Sequence, residues 1–194
     1  LRALTPLTGF PLTAGELGAV GLGLAADVPF CIAGGSRRTR GIGELLEPCP
    51  LLPPCHLVIA RRGEGVSTPW AYARLDELYH SFAADAVRPS SGLPGLLEAL
   101  GRQSLDGVCG RLYNVFEPVV EECLPDVALL RGGLLSGGAL AARMSGSGPA
   151  VYGVFRTEAE ASDSCRALRE LGAEAYICCP QATEIPIHSY AVHN

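Results

Sequence analysis

The chain has 194 residues and a net charge of −5, and all 15 of its basic residues are arginine. Apolar residues make up 48% and charged residues 18%, which suffices for a substantial buried core and excludes wholesale disorder. The acidic balance argues against a general nucleic-acid binder, and the lack of lysine excludes a Schiff base or Walker-type phosphate clamp built from these residues.

The only methionine is Met144 and the chain opens on Leu1, which reads as a piece of a longer protein lacking its beginning. Apolar residues 1–24 are broken by Pro6 and Pro11 and show no signal-cleavage pattern. No run of 18 apolar residues occurs, so no membrane helix is expected. The eight cysteines form no CxxC pair, and several sit among apolar neighbours. Reduced thiols and a cytoplasmic location are the expectation.

In chain order, 16–24 reads as a short amphipathic helix entered through Thr13 and Ala14. Residues 28–33 form a compact apolar run suited to a buried strand, with 37–42 as its returning partner across Gly34, Gly35 and Ser36. Segment 46–54 holds Pro48, Pro50, Pro53 and Pro54, breaks regular structure and marks a domain boundary. A strand is predicted at 56–60. A helix follows at 68–79, with Thr68 as its cap and Pro69 at its first position. Residues 81–95 read as a surface loop and 96–100 as a helical turn. One long helix is expected over 105–123, interrupted near Pro118, and another over 126–135. Strands at 139–144 and 150–155 flank a glycine-bearing turn. A helix at 158–171, capped by Thr157 and closed by Gly172, leads to a last strand at 174–179. Four strands after the proline break, with helices on one face, make the ferredoxin-like, split βαβ pattern.

Three segments can carry chemistry. Asp27 lies between a predicted helix and the apolar run 28–33, and Pro29 disfavours helix at Val28. A carboxylate at the end of that first helix would face the negative pole of its dipole, which raises its basicity; the plain alternative is a turn aspartate bonded to local backbone. Ser145, Gly146, Ser147 and Gly148 allow close backbone approach, and their N–H groups can line an anion site; the alternative is an ordinary hairpin loop. Thr68 and Tyr72 stand on the first turn of a helix, where phosphate is attracted and an aromatic ring can stack on a base; the alternative is a capped helix with Trp70 and Tyr72 in the core. His56, His80, His188 and His193 are scattered without metal-ligand spacing, so no protein metal site is predicted. The pairs Arg37-Arg38 and Arg61-Arg62 read as solvated strand ends. No GxSxG elbow or HExxH pair supports a hydrolase.

Taken in order, Ala26-Asp27-Val28-Pro29-Phe30-Cys31, Gly41-Ile42-Gly43-Glu44, Gly65-Val66-Ser67-Thr68 with Tyr72, Tyr113-Asn114-Val115-Phe116-Glu117 and Met144-Ser145-Gly146-Ser147-Gly148-Pro149 resemble the GHMP kinase superfamily. Within it they are similar to the kinases of 4-diphosphocytidyl-2-C-methyl-D-erythritol in non-mevalonate isoprenoid synthesis. The resemblance spans nearly the whole chain. It implies an α+β fold: residues 1–53 as the tail of an N-terminal, ribosomal-protein-S5-like, ATP-binding domain, and 54–194 as a ferredoxin-like C-terminal GHMP kinase domain.

The resemblance also implies roles. Asp27 would be the catalytic base for the substrate hydroxyl. Tyr72 would pack on the cytosine ring, with Thr68 beside it. Ser145, Gly146, Ser147 and Gly148 would form a loop close to the transferred phosphate. ATP is the implied co-substrate, with Mg2+ expected, and the partner is a small cytidine diphosphate polyol rather than nucleic acid or membrane. The family's lysine-bearing motif and its glycine- and serine-rich ATP loop have no match here, so these 194 residues alone are expected to show negligible turnover, with apolar surface exposed around 28–32. Ala25 stands where the family usually has glycine. Two other readings stay open: a homoserine- or mevalonate-type kinase, and a non-catalytic ferredoxin-like ligand-binding module.

Overall fold

The computed structural model describes residues 12–81 and 92–180. They fall into two compact units, one within 12–52 and the other 53–180.

The first unit opens with α1 (Ala14–Leu22). Thr13 starts it through a capping box: its hydroxyl accepts from Glu16 N at 3.3 Å, and the Glu16 carboxylate accepts from Thr13 N at 2.8 Å. The strand expected at 28–33 is instead a helix, α2 (Val28–Ala33), with Pro29 in its first turn. The physical reason is that a helix's first N–H groups have no internal acceptor, so proline forfeits nothing there and its fixed φ favours the helix. Pro29 and Ile32 are buried while Phe30 remains exposed, so the apolar surface expected around 28–32 is only partly open.

Residues 37–42 therefore have a different partner from the one expected. β1 (Arg37–Arg40) pairs antiparallel with β2 (Leu45–Pro48), in the register Arg37↔Pro48 to Arg40↔Leu45. The proline-bearing segment 46–54 is thus regular over its first three residues, and Pro48 is tolerated because it ends the strand. In the connecting turn Ile42 N donates to the Glu44 carboxylate at 2.7 Å. Gly43 lies against the Ala26 carbonyl, where a Cβ would stand 2.5 Å from the oxygen. This turn is thereby seated on the backbone just before Asp27.

The second unit is a four-stranded antiparallel sheet in the order β4-β5-β3-β6, made of β3 (His56–Arg61), β4 (Ala141–Met144), β5 (Val151–Phe155) and β6 (Glu174–Cys178). The expected ferredoxin-like arrangement is present, with β3 between β5 (His56↔Phe155) and β6 (Leu57↔Cys178). Alternation decides the faces: Val58 and Ala60 are buried, whereas Ile59 between them is 41% exposed. Two long helices, α7 (Pro125–Ser136) and α8 (Glu158–Glu170), pack on the sheet. Their Val127, Leu130, Leu134, Ala161, Cys165 and Leu168 form the core with Met144, Val151 and Phe155. Thr157 caps α8 through a second capping box with Glu160.

Between β3 and α7 run α3 (Thr68–Ser81), α4 (Leu93–Gly101), α5 (Leu105–Cys109) and α6 (Glu117–Cys123). The single helix expected over 105–123 is two, α5 and α6, separated by 110–116. Pro118 sits in the first turn of α6, so it starts a helix rather than interrupting one. Helix α4 also takes over the end of the loop expected at 81–95, the rest of which lies largely outside the described residues.

Candidate functional site

The second unit brings three of the sequence-marked segments together. Helix α3 turns Ala71 and Leu75 into the core, which leaves Tyr72 on the neighbouring flank with 55% of its surface exposed. Its ring meets Phe116, just before α6, edge-on: the centroids are 4.9 Å apart and the planes cross at 83°. Tyr72 is therefore not a core residue but a ring braced from behind, with surface left for a flat ligand.

Thr68 is not the cap of α3. Ser67 takes that role, its hydroxyl accepting from Trp70 N at 3.3 Å. Thr68 Oγ1 is instead 3.0 Å from Ser147 Oγ, in a hydrogen bond between the helix start and the glycine-bearing loop. Gly65 keeps this approach open, because a Cβ there would stand 2.7 Å from Pro149 Cδ.

The loop itself closes with Ser145 N donating to Ala150 O at 2.8 Å and Gly148 N donating to Ser145 O at 3.0 Å. Gly146 and Gly148 have φ of 57° and 82°, a region that side chains disfavour, and a Cβ on Gly148 would press on Met144 Sδ at 2.7 Å. Among the described residues the N–H groups of Gly146 and Ser147 have no backbone acceptor outside regular elements. Successive free N–H groups in such a turn form an anion-binding concavity.

Two residues that carried only the resemblance turn out to hold this loop. Asn114 donates from Nδ2 to Met144 O at 2.7 Å and to Gly146 O at 2.9 Å, while its Oδ1 accepts from Phe116 N at 2.8 Å. Glu117 accepts from Met144 N at 2.8 Å and pairs with Arg131 at 3.1 Å. Arg131 also pairs with Glu121, and its Nε donates to Ala142 O at 3.3 Å. The Glu117 and Arg131 side chains are only 12% and 18% exposed, so the pair screens a charge that would be costly alone. A sequence signal for Asn114 existed: an asparagine shortly before a proline-headed helix commonly accepts a backbone N–H. Its donors to a loop thirty residues away had none.

Asp27 belongs to the first unit. It lies at the turn before α2, exposed, and makes no capping hydrogen bond. It precedes a helix start, so the expectation that it faces the negative end of a helix dipole is reversed. The arginine pairs meet mostly carboxylates: Arg38 with Glu47, Arg61 with Glu174 and Arg62 with Asp126, while Arg37 donates to Gly34 O at 3.0 Å. His56 Nδ1 is 3.6 Å from Cys179 Sγ; His188 and His193 lie outside the described residues. All eight cysteines are free thiols. Burial, with Cys109, Cys179 and Cys178 nearby, pushes the Cys55 thiol up to about 11.

No group of three or more His, Cys, Asp or Glu able to hold a metal ion occurs among the described residues. No helix among the described residues is long and apolar enough to cross a membrane.

Residues 95–174 match the family described as GHMP kinases C terminal. The chain is 37% identical over 187 residues to a 4-diphosphocytidyl-2-C-methyl-D-erythritol kinase of Gloeobacter violaceus, covering 95% of this chain and 61% of that protein. It is 40% identical over 187 residues to the enzyme of that name from Rhizobium johnstonii, covering 95% and 56%. A crystal structure of 4-(cytidine 5'-diphospho)-2C-methyl-D-erythritol kinase superposes with a TM-score of 0.72 at 30% identity, covering 93% of this chain and 62% of that one. A homoserine kinase from Cytophaga hutchinsonii superposes with a TM-score of 0.67 at 17% identity, which speaks for the fold alone. The chain spans a little over half the length of the curated relatives it matches.

Proposed function

Because this chain belongs to the GHMP kinases, we propose that the protein it forms transfers the γ-phosphoryl group of ATP to the 2-hydroxyl of 4-diphosphocytidyl-2-C-methyl-D-erythritol. The observation that carries the reading is the exposed, braced ring of Tyr72 next to Thr68, whose hydroxyl is 3.0 Å from Ser147 of the glycine-bearing loop. A base-stacking ring beside a phosphate-type loop suits a substrate that carries both a nucleobase and phosphates. The same-named relatives at 37% and 40% identity support the choice of substrate.

In this reading the substrate hydroxyl oxygen attacks the γ-phosphorus, a new P–O bond forms, and the bond to the β-phosphate oxygen breaks to release ADP. Asp27 accepts the hydroxyl proton. Such a base contributes about a hundredfold or more, and positioning with charge neutralisation supplies the rest. Tyr72 stacks on the cytosine ring, Thr68 orients the substrate beside it, and the free N–H groups of the 145–148 loop face phosphate oxygens. A cytoplasmic protein acting on a small soluble substrate fits this chemistry.

The test is calorimetric titration of the chain with cytidine diphosphate and, separately, homoserine. Binding of cytidine diphosphate that is lost on Tyr72→Ala, with no heat from homoserine, is expected. Equal binding by wild type and Tyr72→Ala overturns the assignment of the base site.

A further inference from the structure

The glycine-bearing loop and the aromatic brace are joined through one side chain. Asn114 lies in the connection between α5 and α6 and uses both Nδ2 hydrogens and Oδ1 at once. Its donors take up the carbonyls of Met144 and Gly146, one on each side of Ser145. With the Gly146 carbonyl turned to Asn114, the Ser147 N–H on the other side of that trans peptide group points away from Asn114. Its acceptor holds Phe116 N, at the start of α6, and Phe116 is the ring that meets Tyr72 edge-on at 4.9 Å. The same helix begins with Glu117, which accepts from Met144 N at 2.8 Å. One amide group therefore sets both the shape of the loop and the place of the ring behind Tyr72.

We propose that Asn114 is a positioning residue, which holds the 145–148 loop in its anion-accepting shape and locks that loop in register with the Tyr72 platform. The proposal deepens the kinase reading, since the loop and the platform are the proposed phosphate and cytosine contacts. Asparagine is suited to this place because it offers two donors and an acceptor on one short planar group. Aspartate keeps the acceptor toward Phe116 but has no donors for the loop, so Asn114→Asp separates the two functions within one variant.

The experiment is amide NMR on the 194-residue chain with inorganic pyrophosphate and cytidine diphosphate as separate probes. In the wild type, pyrophosphate shifts the Gly146 and Ser147 amides. In Asn114→Asp those shifts vanish and the loop-bonded amides of Ser145 and Gly148 exchange about fivefold faster, as expected for losing a bond worth about 1 kcal/mol. Amides of Val119, Val120 and Val58 keep their exchange rates, and cytidine diphosphate binds more weakly, because the loop proposed to face its phosphates has lost that shape. In Asn114→Ala the α6 amides also exchange faster, because the Phe116 acceptor is gone.

Unchanged Ser145 and Gly148 exchange in Asn114→Asp overturns the proposal. So does an equal rise at Val58, which would make Asn114 a support of the whole fold. Wild type that ignores cytidine diphosphate counts against the kinase reading instead, and leaves the loop measurement standing.

Discussion

Thr68 and Ser147, 79 positions apart in the sequence, meet through a hydroxyl–hydroxyl hydrogen bond of 3.0 Å. The contact exists because Ser67 caps α3 and frees its neighbour. It ties the helix that carries Tyr72 to the loop with free N–H groups. Replacing Thr68 with valine keeps the shape and removes the hydroxyl. We expect a loss of about 1 kcal/mol or less in unfolding free energy, because both hydroxyls are near solvent. A double-mutant cycle with Ser147→Ala checks this: the two changes together should cost less than their sum.

Tyr72 is the residue whose loss should be felt most by a nucleobase ligand. Stacking of a base on an aromatic ring is worth about 1–3 kcal/mol. Tyr72→Ala is therefore expected to weaken cytidine diphosphate binding by about tenfold to a hundredfold, and Tyr72→Phe by much less. Titration calorimetry reads both. Thermal stability should hardly move, since the ring is more than half exposed.

Asp27 separates stability from chemistry in the same sense. Its carboxylate is exposed and caps nothing, so Asp27→Asn should leave the unfolding free energy within about 0.5 kcal/mol of wild type. In an ATP-dependent phosphorylation assay on an active protein containing these residues, the same change should lower turnover by about a hundredfold to ten-thousandfold. Full activity of the variant would remove Asp27 from the chemistry.

The Glu117–Arg131 pair is the most buried ion pair described, and breaking it strands a charge. Arg131→Met leaves Glu117 and Glu121 facing each other without their cation. A loss of about 3 kcal/mol or more is expected in a urea titration. The variant Arg131→Met/Glu117→Gln should recover part of that loss, because one of the orphaned charges goes with it.

Cys55 predicts a fall in stability at alkaline pH. Its thiol titrates near 9 when free and is pushed up to about 11 in the fold, first by burial and then by Cys109, Cys179 and Cys178. Above pH 9 the unfolded chain gives up this proton while the folded chain keeps it. The stability present below pH 9 is therefore lost as pH rises through about 11. Urea midpoints at about pH 8 and about pH 10.5 should show the decline, and Cys55→Ala should make it smaller. At about pH 8, alkylation should reach the exposed Cys31, Cys123 and Cys179 well before Cys55.

Much of the second unit could be read in advance because its signals are local. The strand at 56–61 shows its alternation, Thr157 and Glu160 spell out a capping box, and the strands at 141–144 and 151–155 flank an obvious turn. Two prolines misled in the same way. In the sequence Pro29 and Pro118 read as breaks, yet each heads a helix, and only the position of proline within the first turn tells the two cases apart. The pairing of Arg37–Arg40 follows from the first of these, since a helix at 28–33 leaves that strand to pair with Leu45–Pro48.

By itself the sequence determined periodicity, caps, turns and the ordered set of motifs, because each depends on residues a few positions apart. Tertiary structure alone decided that Thr68 meets Ser147, that Phe116 braces Tyr72, and that Asn114 reaches across to Met144 and Gly146. Those choices rest on which donors and acceptors remain unpaired once distant elements have packed. No short stretch of chain contains that information, because the partner of each group is supplied by another part of the fold.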